Sequence, residues 1–417
     1  MTVEFDEQDG VTLLRPLAGE QPRAASTVDI GRAIADGDRH HRRVRFAGAA
    51  GAAATVVAVA VAGWTVVADG SQRAAPPSAG QSGAAGRSAG PSAGPSAGQS
   101  TAPGGGKGCA VQRLPVPGGE GEKGIVSGSD PSGRYILGRT YPNGRPSTVV
   151  WQDLQVRKVP MPGEDPVLSD ATSSGVLVGS SFTAQDTTTA WVYRNGKFSK
   201  LAGADAQALA INEREVIVGS VQGRPAMWAS PAAQPTILAM PGGGMTGKAS
   251  GIDEDGTIVG TLEGGEAKTG LGYVWSPDGT PRKLPQPAVK GNPAGTYNVG
   301  TIRGGWVSGW AAYDEPNRGP RWIGTPRWNL RTGHLDTTDG LLTVINAQGR
   351  LGGPSAVVAA DGSTVPLPLP DGYETSTASV STMALSDDGT VVAGYVSSRG
   401  GGMSYEPVAI MWRCAAT

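Results

Sequence analysis

Three histidines, two cysteines and two acid clusters are the residues with the most evident chemical potential in this 417-residue chain. His40 and His41 stand in a basic stretch near the N-terminus, which leaves His334, in "RTGHLDTTDG", as the one imidazole beyond them. A histidine-rich metal site is thereby excluded, and a Ser-His-Asp arrangement would depend on His334 alone. The clusters "DEDG" at 253–256 and "SDDG" at 386–389 hold the hard oxygens that calcium takes. They lack the alternating ligand positions and the distal Glu of a calcium loop. Asp before Gly is also what a tight turn demands, through side-chain bonds to nearby backbone, and the turn reading is adopted. Two carboxylates for glycoside chemistry can come from distant parts of a chain, and no spacing here singles out such a pair. No catalytic residue, metal ligand or cofactor is expected, and the chain is read as a binding module. A carboxylate-dependent hydrolase or lyase is the enzymatic alternative.

The densest group of binding-type side chains is "GWVSGWAAYDEPNRGPRWIGTPRW", residues 305–328. It crowds Trp310, Tyr313, Arg318, Arg321 and Trp322 into one short segment. Aromatic and Arg side chains on a projecting loop bury large area at small entropic cost, so these five are the candidate ligand-binding residues. Trp306, just before Gly309, occupies a strand slot and is read as core.

What must position them is a repeat. The phrase "GIDEDGTIVG" from Gly251 returns as "INEREVIVG" from Ile211, "SSGVLVG" from Ser173 and "LSDDGTVVAG" from Leu385. Glycines closing such runs fall at Gly138, Gly179, Gly219, Gly260, Gly309, Gly353 and Gly394, spaced by 41, 40, 41, 49, 44 and 41. A second landmark follows each, at Trp151, Trp191, Trp228, Trp275, Trp328, Val358 and Trp412. Phrases such as "RKVPMPG" and "RKLPQP" come after most of these. Each unit thus offers four short runs of strand formers broken by turn residues such as Asn195-Gly196 and Asp278-Gly279. Four short strands cannot bury both faces alone, and radial placement lets each sheet cover its neighbour. The expectation is an all-β, seven-bladed β-propeller with four-stranded antiparallel blades over residues 108–417.

The phrases resemble the short extracellular repeat family named for its His-Ala-Phe motif (HAF-type repeats). The match is Ala208, Ile211, Asn212 and "VIVG" at 216–219, then Ile252, Asp253, Gly256, "TIVG" and Trp275. The tripeptide itself is absent. The resemblance implies a propeller and an extracellular address, and no shared activity.

The last unit ends without room for its fourth strand, and "CAVQRLPVPGG" from Cys109 matches the fourth-strand phrases of other units. Borrowing it closes the ring and hides two edges. Cys109 and Cys414 then meet near a hairpin turn, and a disulfide between them is expected in a compartment where disulfides persist.

The remaining chain is read as an anchor. Residues 46–68, "FAGAAGAAATVVAVAVAGWTVVA", carry no charge over 23 positions, about 34 Å as a helix against a hydrocarbon core of about 30 Å. "RHHRRVR" precedes them, so residues 1–45 are expected in the cytoplasm and the repeats outside. A cleavable signal peptide fits less well, because the apolar run and the segment before it are both long for one. Residues 69–107, free of Val, Ile, Leu and aromatics, are expected to be a disordered tether. The net charge of -1 gives no general attraction for nucleic acid. The expected whole is a monomeric, single-pass membrane protein displaying a propeller to a protein or cell-wall glycan partner. A sensor signalling through residues 1–45 is a further alternative.

Overall fold

Runs of β-branched and aromatic residues closed by glycine turns form the strands expected of them. In the computed structural model the described residues are 108–119, 123–264, 267–314, 321–398 and 406–415. The expected cytoplasmic segment (1–45), membrane span (46–68) and tether (69–107) lie outside them. Among the described residues no helix is long and apolar enough to cross a membrane.

Seven four-stranded antiparallel sheets are present. Blade 4 shows the plan: strands Thr246–Ile252, Ile258–Gly264, Ala267–Trp275 and Pro281–Lys283 lie side by side in chain order. Blades 1, 2, 3, 5 and 6 span 124–158, 164–200, 206–237, 296–339 and 344–366 in the same order. Blade 7 takes three strands from 378–414 and its outermost from Cys109–Arg113. The first strand of every blade touches the first strands of both neighbours, blade 7 with blade 1 included, so the sheets form a closed ring around an axis. Antiparallel order then puts the turns after first and third strands on one face, here the upper. The hairpins after second strands and the connections between blades lie on the lower.

The recurring glycine has a steric cause. In six blades the first strand carries one extra residue opposite the second, a bulge after Val126, Leu168, Ala208, Ala249, Val299 and Thr382. The partners of those six residues are Gly138, Gly179, Gly219, Gly260, Gly309 and Gly394. A Cβ on Gly219 would sit 1.8 Å from the Gln207 carbonyl oxygen, and on Gly260 2.1 Å from that of Lys248. The bulge drives the backbones together, and only glycine admits the approach. The extra residue itself links blades: Ser127 Oγ donates to the Leu168 carbonyl (2.6 Å), and Ser250 Oγ to that of Val299 (2.8 Å).

Tryptophan bolts the blades from the outside. Trp151, Trp228, Trp275, Trp328 and Trp412 are buried on third strands. Each indole N–H donates to a carbonyl in the connection leaving the preceding blade: Pro115 (2.6 Å), Ala202 (2.9 Å), Ala239 (2.6 Å), Pro285 (2.9 Å) and Pro368 (2.7 Å). Blade 2 corrects the expected landmark. Tyr193 faces Leu177 as Trp151 faces Ile136, so Tyr193 and not Trp191 fills the bolt position. Its hydroxyl accepts from Arg157 Nη1 of blade 1 at 2.7 Å. Blade 6 has Val358 there, opposite Leu351. The seam between blades 5 and 6 is instead held by Arg327, which is 2% exposed. It binds Asp336 through Nε (3.0 Å) and Nη2 (2.5 Å), donates to the Gly349 carbonyl (2.7 Å), and lies 5.8 Å from the half-buried Trp306 ring.

The ring closes as expected. Cys109–Arg113 pairs with Val408–Cys414 in a register that sets Cys109 opposite Cys414, and the two are joined by a disulfide.

Candidate functional site

Turns after the first strands build the upper mouth of the channel. Their first residue caps the turn: Asp130 accepts from the Tyr135 and Ser132 amides (2.6 and 3.0 Å), Asn212 from Val216 (3.0 Å), Asn346 from Arg350 (2.9 Å). Asp255 and Asp388, inside the two acid clusters, accept from the amides of Thr257 (2.8 Å) and Thr390 (2.9 Å), which is turn chemistry. Among the described residues, no three of His, Cys, Asp or Glu gather as a metal would require. His334 is exposed in the turn after the third strand of blade 5.

The residue after the cap reaches to the next blade. The Ser173 amide donates to Glu213 (2.8 Å), that of Glu213 to Glu254 (3.1 Å), and that of Ala347 to Asp387 (3.1 Å). Asp253 accepts from the amides of Gly304 (3.0 Å) and Gly305 (2.6 Å) of blade 5. These links draw carboxylates inward around the axis.

Blade 5 breaks the pattern, because Arg303 stands where the other turns carry Asp, Asn, Thr or Ser. Its Nη2 lies 3.5 Å from Asp170 Oδ1 of blade 2, the two side chains being 17% and 14% exposed. Blades 2 and 5 are three apart, the largest separation a ring of seven allows, so the bridge crosses the channel mouth. Asp170 follows the bulge of its strand, where other blades have Gly128, Ala210, Gly251, Thr301 or Ala384. It also accepts from the Ile211 and Ala171 amides, at 3.0 and 2.9 Å.

Burial pushes the Asp170 carboxyl up to about 6; Arg303 and the two amides oppose the rise, and the Asp130 charge adds to it. Burial likewise raises Glu254 and Asp387 against the pull of Arg303. Burial disfavours the Arg303 charge, but Asp170, Asp387, Glu254 and Asp253 outweigh that and hold the guanidinium more firmly protonated than usual. The mouth therefore keeps more carboxylate than cation in a poorly hydrated place, an arrangement met at functional sites.

Below lies the aromatic hairpin, Trp306–Asp314 and Arg321–Asn329 of blade 5. Tyr313 pairs with Trp322, so their side chains share one face of the hairpin. Trp310 is three residues before Tyr313 and falls on the opposite face, so the structure brings two of the three aromatics together. Trp322 is 38% exposed, the one large apolar side chain so exposed among the described residues. Lys290 Nζ lies 5.9 Å from its ring centroid and pairs with Asp339. Tyr313 packs partly against the apolar cluster shared by blades 4 and 5. Arg318 lies outside the described residues, and Arg321 contributes its backbone, paired with Asp314.

No protein-family model matches the chain, and no curated protein does. The likeness to the His-Ala-Phe repeats therefore remains one of phrase. Among solved structures the chain is similar to the β-propeller domain of the Trilobed protease from Pyrococcus furiosus, at 11% identity and a TM-score of 0.44, over 70% of this chain and 93% of that one. It is also similar to TolB from Acinetobacter baumannii, at 13% identity and a TM-score of 0.36, over 70% and 63% of the two chains. Oligogalacturonate lyase from Vibrio parahaemolyticus follows at 8% and 0.32, over 73% and 93%. At these values nothing about activity passes to this chain.

Sequence reasoning missed the Arg303–Asp170 bridge, whose partners are 133 positions apart. A signal was present in the aligned repeats: Asp170 is an acid in a column of small residues, and Arg303 a cation in a column of turn caps.

Proposed function

We propose that this chain is a membrane-tethered, exported recognition module whose propeller holds its ligand, a protein or cell-wall glycan, at the lower-face hairpin of blade 5. The observation that carries the reading is the Tyr313–Trp322 pair, with Trp322 exposed on a hairpin longer than a blade needs and Lys290 beside it. An exposed indole next to a cation is costly to leave in water and well suited to stacking on a sugar or a partner side chain. The Cys109–Cys414 disulfide supports export, because such bonds persist outside the cytosol. The uncharged stretch 46–68 with its arginine flank supports the tether.

Crosslinking on intact cells followed by recovery of the propeller identifies the ligand. Trp322→Ala should then weaken capture at least tenfold while moving the thermal midpoint by no more than about 2 °C, as expected of a surface substitution. A large fall in melting temperature, or full capture by the variant, removes the site from the hairpin.

The carboxylates converging on the upper mouth are what an extracellular hydrolase or lyase would need, and Asp170, at about 6, lies in the range of a general acid. Turnover of wall glycans by the wild type and not by Asp170→Asn would favour that reading. Against it, Asp170, Asp253, Glu254 and Asp387 are all engaged by Arg303 or by turn amides. Signalling through residues 1–45 predicts loss of function on deleting residues 1–38 with the span retained.

A further inference from the structure

The Arg303 bridge has no role in holding any one blade together. It joins neither neighbouring strands nor neighbouring blades, and among the described residues the caps of the other first turns bond within their own turn or to an adjacent blade. Its partner Asp170 keeps two amide bonds, from Ile211 and Ala171, whether or not Arg303 is present. The turn carrying Arg303 is fastened separately, through the Gly304 and Gly305 amides on Asp253. Breaking the bridge therefore costs one contact and leaves both backbones in place.

We infer that Arg303 is an acid-operated latch over the upper mouth of the channel, held across the ring while Asp170 is ionised and released toward solvent when Asp170 takes a proton. The groups around it set the direction. Blade 1 presents Asp130, blade 2 Asp170, blade 3 Glu213 beside Glu254, blade 4 Asp253 and Glu254, blade 7 Asp387 and Asp388, and blade 6 the neutral Asn346 together with Arg350, whose guanidinium packs against the blade 7 turn at Gly389. Arg303 is the one cation acting on Asp170, Glu254 and Asp387 together. Asp170, at about 6, takes up its proton in mild acid, and burial raises Glu254 and Asp387 in the same direction, so the attraction holding a desolvated guanidinium falls as Asp170 is neutralised. A guanidinium that has lost its counter-charges is better hydrated than buried.

The test follows the guanidinium itself in the full chain labelled with 15N-arginine, its Nε–H signal assigned by its loss in Arg303→Lys. At pH 7.5 that signal should exchange slowly with water. Between pH 7.5 and pH 5 the protection should be lost with a midpoint within about one unit of 6, while the thermal midpoint holds or rises. Asp170→Asn, which mimics the protonated acid, should lack the protected signal already at pH 7.5; Asp387→Asn, which leaves the bridging carboxylate in place, should retain it. Protection persisting to pH 5 in the wild type, a protected signal in Asp170→Asn, or loss that comes only with global unfolding would each overturn the latch.

Discussion

Arg303 is a single residue on which several carboxylates depend, and the sign of that dependence can be worked out. The folded pKa of Asp170, about 6, exceeds its ordinary value of 3.8, so the folded state binds the proton more readily. Its contribution to stability is greatest below about pH 4 and is lost as pH rises through 6. Arg303 restrains this penalty, so Arg303→Met should enlarge it by leaving Asp170, Glu254, Asp387 and Asp253 without their cation. We expect a loss on the order of 3 kcal/mol at pH 7.5, shrinking as the pH is lowered to 5 and Asp170 takes up its proton. Urea unfolding at the two pH values measures it; a cost that is equal at both, or larger at pH 5, would show that Arg303 does not act through those acids. Residues at this scale were the least legible. Asp255 and Asp388 were readable as turn formers because their partners are two residues away. The Asp170 bridge forms only when the two blades between its partners, 3 and 4, are in place.

At the scale of strands and blades the sequence was far more informative, because each unit repeats the same packing problem. Period, strand count and the bolt position could be read from "IVG" and Trp landmarks, since burial on both faces of a blade demands the same side chains each time. The errors came where a different residue solves the problem. Trp191 is two positions from the bolt that Tyr193 supplies, and Arg327 replaces the indole missing at Val358. Trp310 was grouped with Tyr313 and Trp322 by sequence distance, whereas strand alternation parts it from them. The glycine in six of the landmarks was legible as a mark but not as a cause, since the bulge opposite it is visible only when the strands pair. That cause is testable at Gly219, where an added methyl would meet the Gln207 carbonyl oxygen at 1.8 Å and the Ala208 Cα at 3.2 Å. Both obstacles are backbone, so relief requires moving the strand. Gly219→Ala should cost about 3 kcal/mol in denaturant unfolding, whereas Gly196→Ala, with nothing within 4 Å, bears only the strain of its positive φ of 83°. Equal costs at the two sites would refute the close-approach account.

For the whole molecule the decisive contact is the one that turns a row of blades into a ring. Strand Cys109–Arg113 supplies blade 7 with its outer edge, and Val111 packs with Trp412, Ile410 and Val392 in the same apolar cluster. Two things therefore hold the ends: five residue pairs of strand, and a disulfide spanning 305 positions. Their roles differ. The disulfide acts mainly on the unfolded chain, where tying so long a loop is worth about 5 kcal/mol as an upper figure. The strand acts on the folded state, where it covers the backbone edge of Val408–Cys414 and keeps it from pairing with other chains. Replacing both cysteines by serine should accordingly leave a folded, monomeric propeller that unfolds at lower denaturant, by 2 to 5 kcal/mol on that scale. Mutating Val111 and Gln112 to proline with the disulfide intact should instead unzip the pairing, and the exposed edge should appear as concentration-dependent association in sedimentation. Mass spectrometry of non-reduced peptides first establishes the Cys109–Cys414 link in the isolated protein. If the serine variant associates and the proline variant remains monomeric, the division of labour is the reverse of the one argued here, and the covalent bond is what keeps the edge covered.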